Sequence, residues 1–364
     1  MLLKRQKSEI NLNPIQRGGI LTKEGREALI EFGDGYATYD LSPGLEIEDM
    51  PIIKNFIEKE LPEFLESDIA KFTLGAREGI FNVMHCITKP GDTIIVDGNR
   101  HYSTITAAER CKLNIVEVKN SGKPEYKINI EDYENLIKKH KPSMILLTYP
   151  DGNYGNIPDA KKLGTIAKKY EVPYLINGAY SVGRMPISMK KLGADFIIGS
   201  CHKSMASSGP LGILGANKKW EKILFKKSEL VNKQIEFIGS ESRGTAVATL
   251  IASFPKVKKR IENWDEEVEK AKYFSSEIEK LGIMQLGEKP HNHDLLFFEA
   301  PVLYEISQKH KKRGYFLHQE LKKRGISGIK AGLTKNFKIS TYQLTKKELD
   351  KVVSAFKEII DENL

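Results

Sequence analysis

The sequence predicts an α/β protein: a large domain built on a mostly parallel sheet, followed by a smaller α+β domain. Three observations predict it. Short apolar runs alternate with helical stretches from about residue 50 to 240, the pattern of successive strand–helix units. The runs within Met144–Pro150, Val172–Asn177 and Phe196–Ile198 are dominated by apolar residues, as strands covered on both faces must be. Past Arg243 the pattern changes to one long helical stretch, Thr245 to Leu281, with charges at helical spacing around Trp264. At 364 residues and 40% hydrophobic composition the chain can bury a substantial core, and its length suggests two domains. The expected layout is an N-terminal arm over residues 1–50, a large domain over 51–244 and a small C-terminal domain over 245–364.

The elements follow in order. The first 50 residues carry the Gly and Pro density of loops that cover a site. Gly75-Ala-Arg-Glu-Gly79 opens an apolar helix running to about Ile87, and small residues at a helix start leave backbone N–H groups and a favourable dipole for a phosphate. Ala76 and Arg77 are the candidate phosphate holders. A strand over Asp92–Asp97 leads into Asn99-Arg-His-Tyr-Ser-Thr104, which opens the next helix; His101 there is either a ring-stacking residue or a solvated cap. Met144–Pro150 is a strand, and Asp151-Gly-Asn-Tyr-Gly-Asn156 after it is either a simple turn or the place from which Asn153 reaches a ligand. The strand within Val172–Tyr180 ends at Asn177. The strand Phe196–Ile198 ends in Gly-Ser-Cys-His-Lys203, with small residues from Ser204 to Gly209 that let backbone pass close to a ligand. In the last third, strands Leu295–Ala300 and Phe337–Tyr342 flank a helix near Tyr304–Arg324, and a closing helix follows Thr345.

Lys203 carries the chemical reading. A lysine just past a buried strand, beside His202 and Ser200, sits at the carboxyl edge where α/β sheets bind ligands. Partial burial near other cations lowers a lysine's pKa and makes it a nucleophile, the requirement for a Schiff base to pyridoxal phosphate. The alternative is a surface lysine on a strand-to-helix loop. In pyridoxal-phosphate enzymes of the aspartate-aminotransferase class an acid at the end of the preceding strand keeps the ring nitrogen protonated; Asn177 here implies a milder electron sink, suited to eliminating a good leaving group. The phosphate cup at Gly75–Gly79 and the stacking position at His101 fall in the chain order of that fold type I class.

These residues resemble the archaeal Sep-tRNA:Cys-tRNA synthase family over nearly the whole chain. The signposts include Asn11-Leu-Asn-Pro-Ile-Gln-Arg-Gly-Gly19, Gly33-Asp-Gly-Tyr36, Gly75-Ala-Arg-Glu78, His101-Tyr-Ser103, Thr148-Tyr-Pro-Asp-Gly-Asn-Tyr-Gly155, Asn177-Gly-Ala-Tyr180, His202-Lys-Ser-Met-Ala206, Ser242-Arg-Gly244 and Pro290-His-Asn-His-Asp294. The resemblance implies that Lys203 carries the cofactor and His101 stacks on its ring. It implies further that Asn177 and Asn153 bind the ring's polar atoms, and that Ala76, Arg77, Ser200 and His202 hold its phosphate. Gln16, Arg17, Tyr36 and Arg243 are the implied substrate-side residues. One departure stands out: the family's three functional cysteines fall at Tyr39, Ser42 and Ser240. A hydroxyl neither stores sulfane sulfur nor binds iron well, so no iron–sulfur cluster or other metal is expected. Of the cysteines present, Cys86 and Cys111 read as packing residues; Cys201 flanks Lys203, where it is either a small packing residue or, less simply, a thiol activated by neighbouring cations.

The implied reaction is β-replacement on phosphoseryl-tRNA to give cysteinyl-tRNA, with sulfur from an external donor. A pyridoxal-phosphate lyase or transferase on a free amino acid, or a reduced paralogue serving as a subunit of a tRNA-dependent complex, are the other classes. The net charge of +9 and runs such as Lys256-Val-Lys-Lys-Arg260 and Lys309-His-Lys-Lys-Arg313 suit a polyphosphate partner, or equally solvated helix faces with interleaved glutamates. By resemblance the partners are tRNA, a second copy of the chain in a homodimer, phosphoseryl-tRNA synthetase and a sulfur carrier, with no DNA. The sequence holds no apolar run of membrane length and no signal-peptide core after Met1-Leu-Leu-Lys-Arg, and its three cysteines fit a reducing compartment, so a cytoplasmic enzyme is expected.

Overall fold

The computed structural model describes residues 8–34, 51–225 and 244–363. Their strands in chain order are β1 (Ile10–Asn11), β2 (Ile69–Thr73), β3 (Thr93–Asp97), β4 (Asn114–Val118), β5 (Met144–Thr148) and β6 (Tyr174–Asn177). Then come β7 (Phe196–Ser200), β8 (Gly212–Ala216), β9 (Met284–Leu286), β10 (Leu295–Glu299), β11 (Ile326–Ser327) and β12 (Asn336–Ser340). The central sheet has the order β2-β8-β7-β6-β5-β3-β4. All its pairings are parallel except those of β8, which runs antiparallel between β2 and β7.

Continuous burial of Met144–Thr148, Tyr174–Asn177 and Phe196–Ser200 follows from cover on both faces. Ile145, Leu147, Ile176 and Ile197 pack on one side with the Gly244–Ile261 helix. Leu146, Leu175, Phe196 and Ile198 pack on the other with the Ala76–Ile87 helix. Parallel neighbours in this register bring the carboxyl ends of three central strands together, so Thr148, Asn177 and Ser200 stand along one edge. That edge positions the site.

The small domain is an antiparallel sheet, β12-β10-β9, with a core of Phe274, Phe298, Phe337 and Phe356. Part of the N-terminal segment belongs to it. β1 pairs in parallel with β11, and Ile10 and Leu12 lie in the small-domain core.

Two expectations are corrected. The stretch Thr245–Leu281 is two helices, Gly244–Ile261 and Trp264–Glu279. Asp265, Glu266 and Glu267 in the first turn of the second favour a new helix start there. Val247, Leu250, Phe254 and Val257 of the first helix lie in the central-sheet core, whereas Ala271, Phe274 and Ile278 of the second join the small-domain core. The core boundary therefore falls near residue 262 and not at 245. The helix expected near Tyr304–Arg324 is likewise broken, into Pro301–Gln308 and Phe316–Lys323, with a tight turn at Arg313–Tyr315 between them. Like charges in Lys309-His-Lys-Lys-Arg313 disfavour continuing a helix through it.

Candidate active site

A cavity of about 380 Å³ opens at the carboxyl ends of β5, β6 and β7. Lys203 reaches it from a single helical turn, Cys201–Ser204, that directly follows β7. Its ammonium lies 5.0 Å from the Tyr180 ring centroid. Burial, then Arg184, Lys338 and Arg77, pull the Lys203 amine down to about 8. A useful fraction of the amine is therefore unprotonated near neutral pH. His202, with Nδ1 3.5 Å from the Ser200 hydroxyl, is also held below its ordinary value, first by burial and then by Lys203.

His101 enters from the opposite wall as the cap of the Tyr102–Arg110 helix. Its Nδ1 accepts the Ser103 backbone N–H at 3.2 Å, which leaves a neutral ring with its hydrogen on Nε2. Burial, followed by Lys203, Lys338 and Arg77, holds this imidazole down to about 4. It is therefore an uncharged aromatic face at working pH, and it packs 4.2 Å from the Tyr102 ring. Arg77 stacks 4.9 Å over Tyr102 and donates to its hydroxyl at the rim.

The Ala76–Ile87 helix points its start into the cavity. Its cap, Gly75, has φ 111° and brings no side chain, so the first amides are left without an intrahelical acceptor. Gly212 on β8 makes this approach possible. A Cβ there would fall 2.5 Å from the Gly75 carbonyl carbon and 2.8 Å from the Ala76 nitrogen. Asn177 accepts the Ala179 N–H through Oδ1 at 3.4 Å, leaving its amide nitrogen as a donor toward the cavity. Beside it, Thr148 donates its N–H to Asp97 Oδ2 at 2.8 Å. Burial pushes that carboxyl up to about 7, against the Thr148 bonds.

The residues fit pyridoxal phosphate. An unpaired helix start, Arg77 and His202 suit a phosphate dianion, a neutral imidazole suits an aromatic ring, and Lys203 supplies the amine. Ala76, Arg77, His101, Asn177, Ser200, His202 and Lys203 are thus brought together. Three other expected residues are not. Asn153 is exposed and lines no part of the cavity; Asp151 captures the backbone N–H groups of residues 153, 154 and 156, and Gly152 takes the wall position. Arg17 is buried and donates Nε to the Tyr342 carbonyl at 2.6 Å, a tie between segments. Gln16 is exposed and accepts from Asn11. Tyr36, Tyr39, Ser42, Ser240 and Arg243 lie outside the described residues. Cys201 is fully buried, and burial pushes its thiol up, which fits a packing residue and not an activated thiol.

Thr148, Tyr180, Arg184 and Lys338 are the residues that sequence reasoning missed. Lys338 on β12 alternates with buried Phe337 and Ile339 and so reads as a solvent-facing strand residue; instead it donates to the Gly152 carbonyl across the domain junction. Arg184 stands among small residues with no local sign of its partners.

A family model described as O-phosphoseryl-tRNA(Sec) selenium transferase, SepSecS, matches residues 83–361. The chain is 53% identical over 359 residues to the O-phospho-L-seryl-tRNA:Cys-tRNA synthase of Methanosarcina acetivorans, covering 96% of this chain and 93% of the relative. It is 50% identical over 360 residues to the protein of that name from Methanocaldococcus jannaschii, covering 97% and 95%. A chain in a solved SepCysS–SepCysE N-terminal domain complex superposes with a TM-score of 0.90 at 50% identity, covering 98% of this chain and 95% of that one. The cysteine desulfurase of Thermococcus onnurineus NA1 superposes at 0.79 with 18% identity, covering 97% and 95%, a likeness of fold alone. That fold is the type I architecture of pyridoxal-phosphate enzymes.

Proposed function

Because the chain belongs to the O-phospho-L-seryl-tRNA:Cys-tRNA synthase family, we propose that it converts O-phosphoseryl-tRNA to cysteinyl-tRNA with pyridoxal phosphate on Lys203. The observation that carries the reading is the Lys203 amine, lowered to about 8 in a cavity it shares with His101, Asn177 and an open helix start. Bound there, pyridoxal phosphate supplies an electron sink that makes the α-proton of an attached amino acid acidic and lets a β-substituent leave. Lys203 Nζ takes that α-proton, a task for which an amine titrating near 8 is matched to neutral conditions. The first amides of the Ala76–Ile87 helix, Arg77, Ser200 and His202 hold the cofactor phosphate. The neutral His101 ring stacks on the pyridine. Asn177 donates to the ring nitrogen and leaves it less cationic than an aspartate would, which suits loss of phosphate better than transamination.

Sulfur comes from outside the described site. The Cys201 thiol is buried and its pKa is raised, so it stays protonated and unreactive. The reading includes a homodimer in the cytoplasm and a protein partner, since a chain 50% identical to this one is seen with SepCysE. The test is to load the full chain with pyridoxal phosphate, reduce with borohydride and map the modified peptide. A separate, unreduced sample of the loaded enzyme is given phosphoseryl-tRNA and sulfide. Label on Lys203 and sulfide-dependent cysteinyl-tRNA are expected, with both abolished in Lys203→Ala. A reducible adduct that persists in Lys203→Ala would overturn the assignment.

A further inference from the structure

We propose that Arg184 is a positioning residue for Lys203, holding the lysine's helical turn from beneath and coupling it to the small domain through Asp294. Arg184 is the largest fully buried side chain, at 0% exposure. Its Nη2 donates to the Lys203 carbonyl at 3.0 Å and to the Pro14 carbonyl, and its Nε donates to the Ser204 hydroxyl at 3.2 Å. The same guanidinium lies 5.1 Å from the Tyr180 ring centroid, and the Lys203 ammonium lies 5.0 Å from that centroid. One residue therefore fixes the main chain of the lysine and the ring on which its side chain rests.

The other end of the connection is in the small domain. Arg184 Nη1 meets Asp294 Oδ2 at 2.7 Å, with both side chains fully buried. Asp294 immediately precedes β10, and its Oδ2 also accepts the hydroxyl of Ser340 at the end of β12. Burial alone would raise the Asp294 carboxyl, yet Arg184 and then His293 hold it below its ordinary value, so the pair is ionised. A shift of the small-domain sheet is thereby transmitted to the Lys203 turn through one ion pair.

The pair also sets charge. The titratable groups facing Lys203 are Arg77 from the Ala76–Ile87 helix, His101, Tyr180 after β6, its neighbour His202, Lys338 from β12, and Arg184. Arg184 is ion-paired with the fully buried Asp294, so altering either member changes the field at Lys203 in opposite senses. Asp294→Asn leaves the guanidinium uncompensated and raises the neutral fraction of the amine. Arg184→Met removes the cation and lowers it. A purely structural role would loosen the turn in both variants and move both the same way.

The inference rests on Lys203 being the cofactor lysine, and the experiment separates the two. Borohydride trapping with pyridoxal phosphate tests which lysine is used. Competitive acetylation of the full chain before loading, followed across pH by mass spectrometry of the Lys203 peptide, tests Arg184 without any cofactor. At pH 7 the expected result is about threefold faster labelling in Asp294→Asn and about threefold slower in Arg184→Met, each about half a unit of midpoint in opposite directions. Shifts in the same direction, or no shift in both, overturn the proposal. Should Arg184→Met fail to fold, the near-isosteric Asp294→Asn decides alone, and an unmoved or raised midpoint overturns it.

Discussion

Asp97 shows how a single buried group sets a pH dependence. Burial pushes its carboxyl up to about 7, against the Thr148 bonds and with Asp151 adding to the rise. The folded chain then keeps a proton that the unfolded chain has already released above about 4, so the stability tied to this proton is lost as pH rises from about 4 through 7 and is level above that. Asp97→Asn keeps an acceptor for the Thr148 N–H and removes the titration. Its melting temperature should match the unaltered chain near pH 4 and exceed it by a few degrees at pH 8. A difference that does not grow with pH would refute the assignment. At this scale the sequence was legible where position follows from a strand end: Lys203, Asn177 and Ser200 all line the cavity. It was not legible for Thr148, Arg184 or Lys338, whose roles depend on partners far along the chain. Asn153 was misread because the Asp151 carboxylate decides which way that turn faces.

Strand β8 is the element on which the phosphate cradle rests. Two of its five residues are glycines, a composition that weakens a strand signal, and it was not recognised beforehand. The glycine is there for approach: Gly212 lets the start of the Ala76–Ile87 helix lie on the sheet edge. Gly212→Ala should push that helix start away, weakening pyridoxal-phosphate affinity about tenfold and costing about 1–3 kcal/mol of stability. Equilibrium titration and thermal melts measure the two. Unchanged affinity in a folded variant would mean that the helix start does not hold the phosphate. The apolar strands β5, β6 and β7 and the helix closing the chain were readable because burial on both faces and a capping box at Thr345 leave clear marks. The breaks in the two long helical stretches were not, since helical spacing continues across both.

At the scale of the whole molecule, exposure bears on assembly. Ile15, Ile20, Ile30 and Ile52 are exposed, with Ile30 at 82%. Exposed isoleucines such as these are apolar surface of the kind that a second copy would cover. A dimer is expected by light scattering at micromolar concentration, and Ile30→Glu should shift it toward monomer with little change in melting temperature. A chain monomeric at that concentration with full cofactor loading would refute the homodimer. The mostly parallel sheet and the smaller α+β unit were legible from length and pattern, but which core each long helix joins was not. Apolar spacing shows that the Gly244–Ile261 helix has a buried face, and does not show which domain's core that face joins.

The fastening of the N-terminal segment also sets an order of events during synthesis. Ile10 pairs with Ile326, Leu12 accepts the Ser340 N–H, and Arg17 donates to Tyr342. Gly18 and Gly19 then run against the Lys203 and His202 carbonyls, where a Cβ would fall 2.5 and 2.0 Å away. Residues 10–17 therefore wait for residues 326–342 before they can dock, because contacts so distant along the chain close late. The central sheet can form while translation continues, with the lysine's turn still uncovered. A nascent chain is thus open to its cofactor until residues 326–342 have emerged and drawn the N-terminal segment down over that turn.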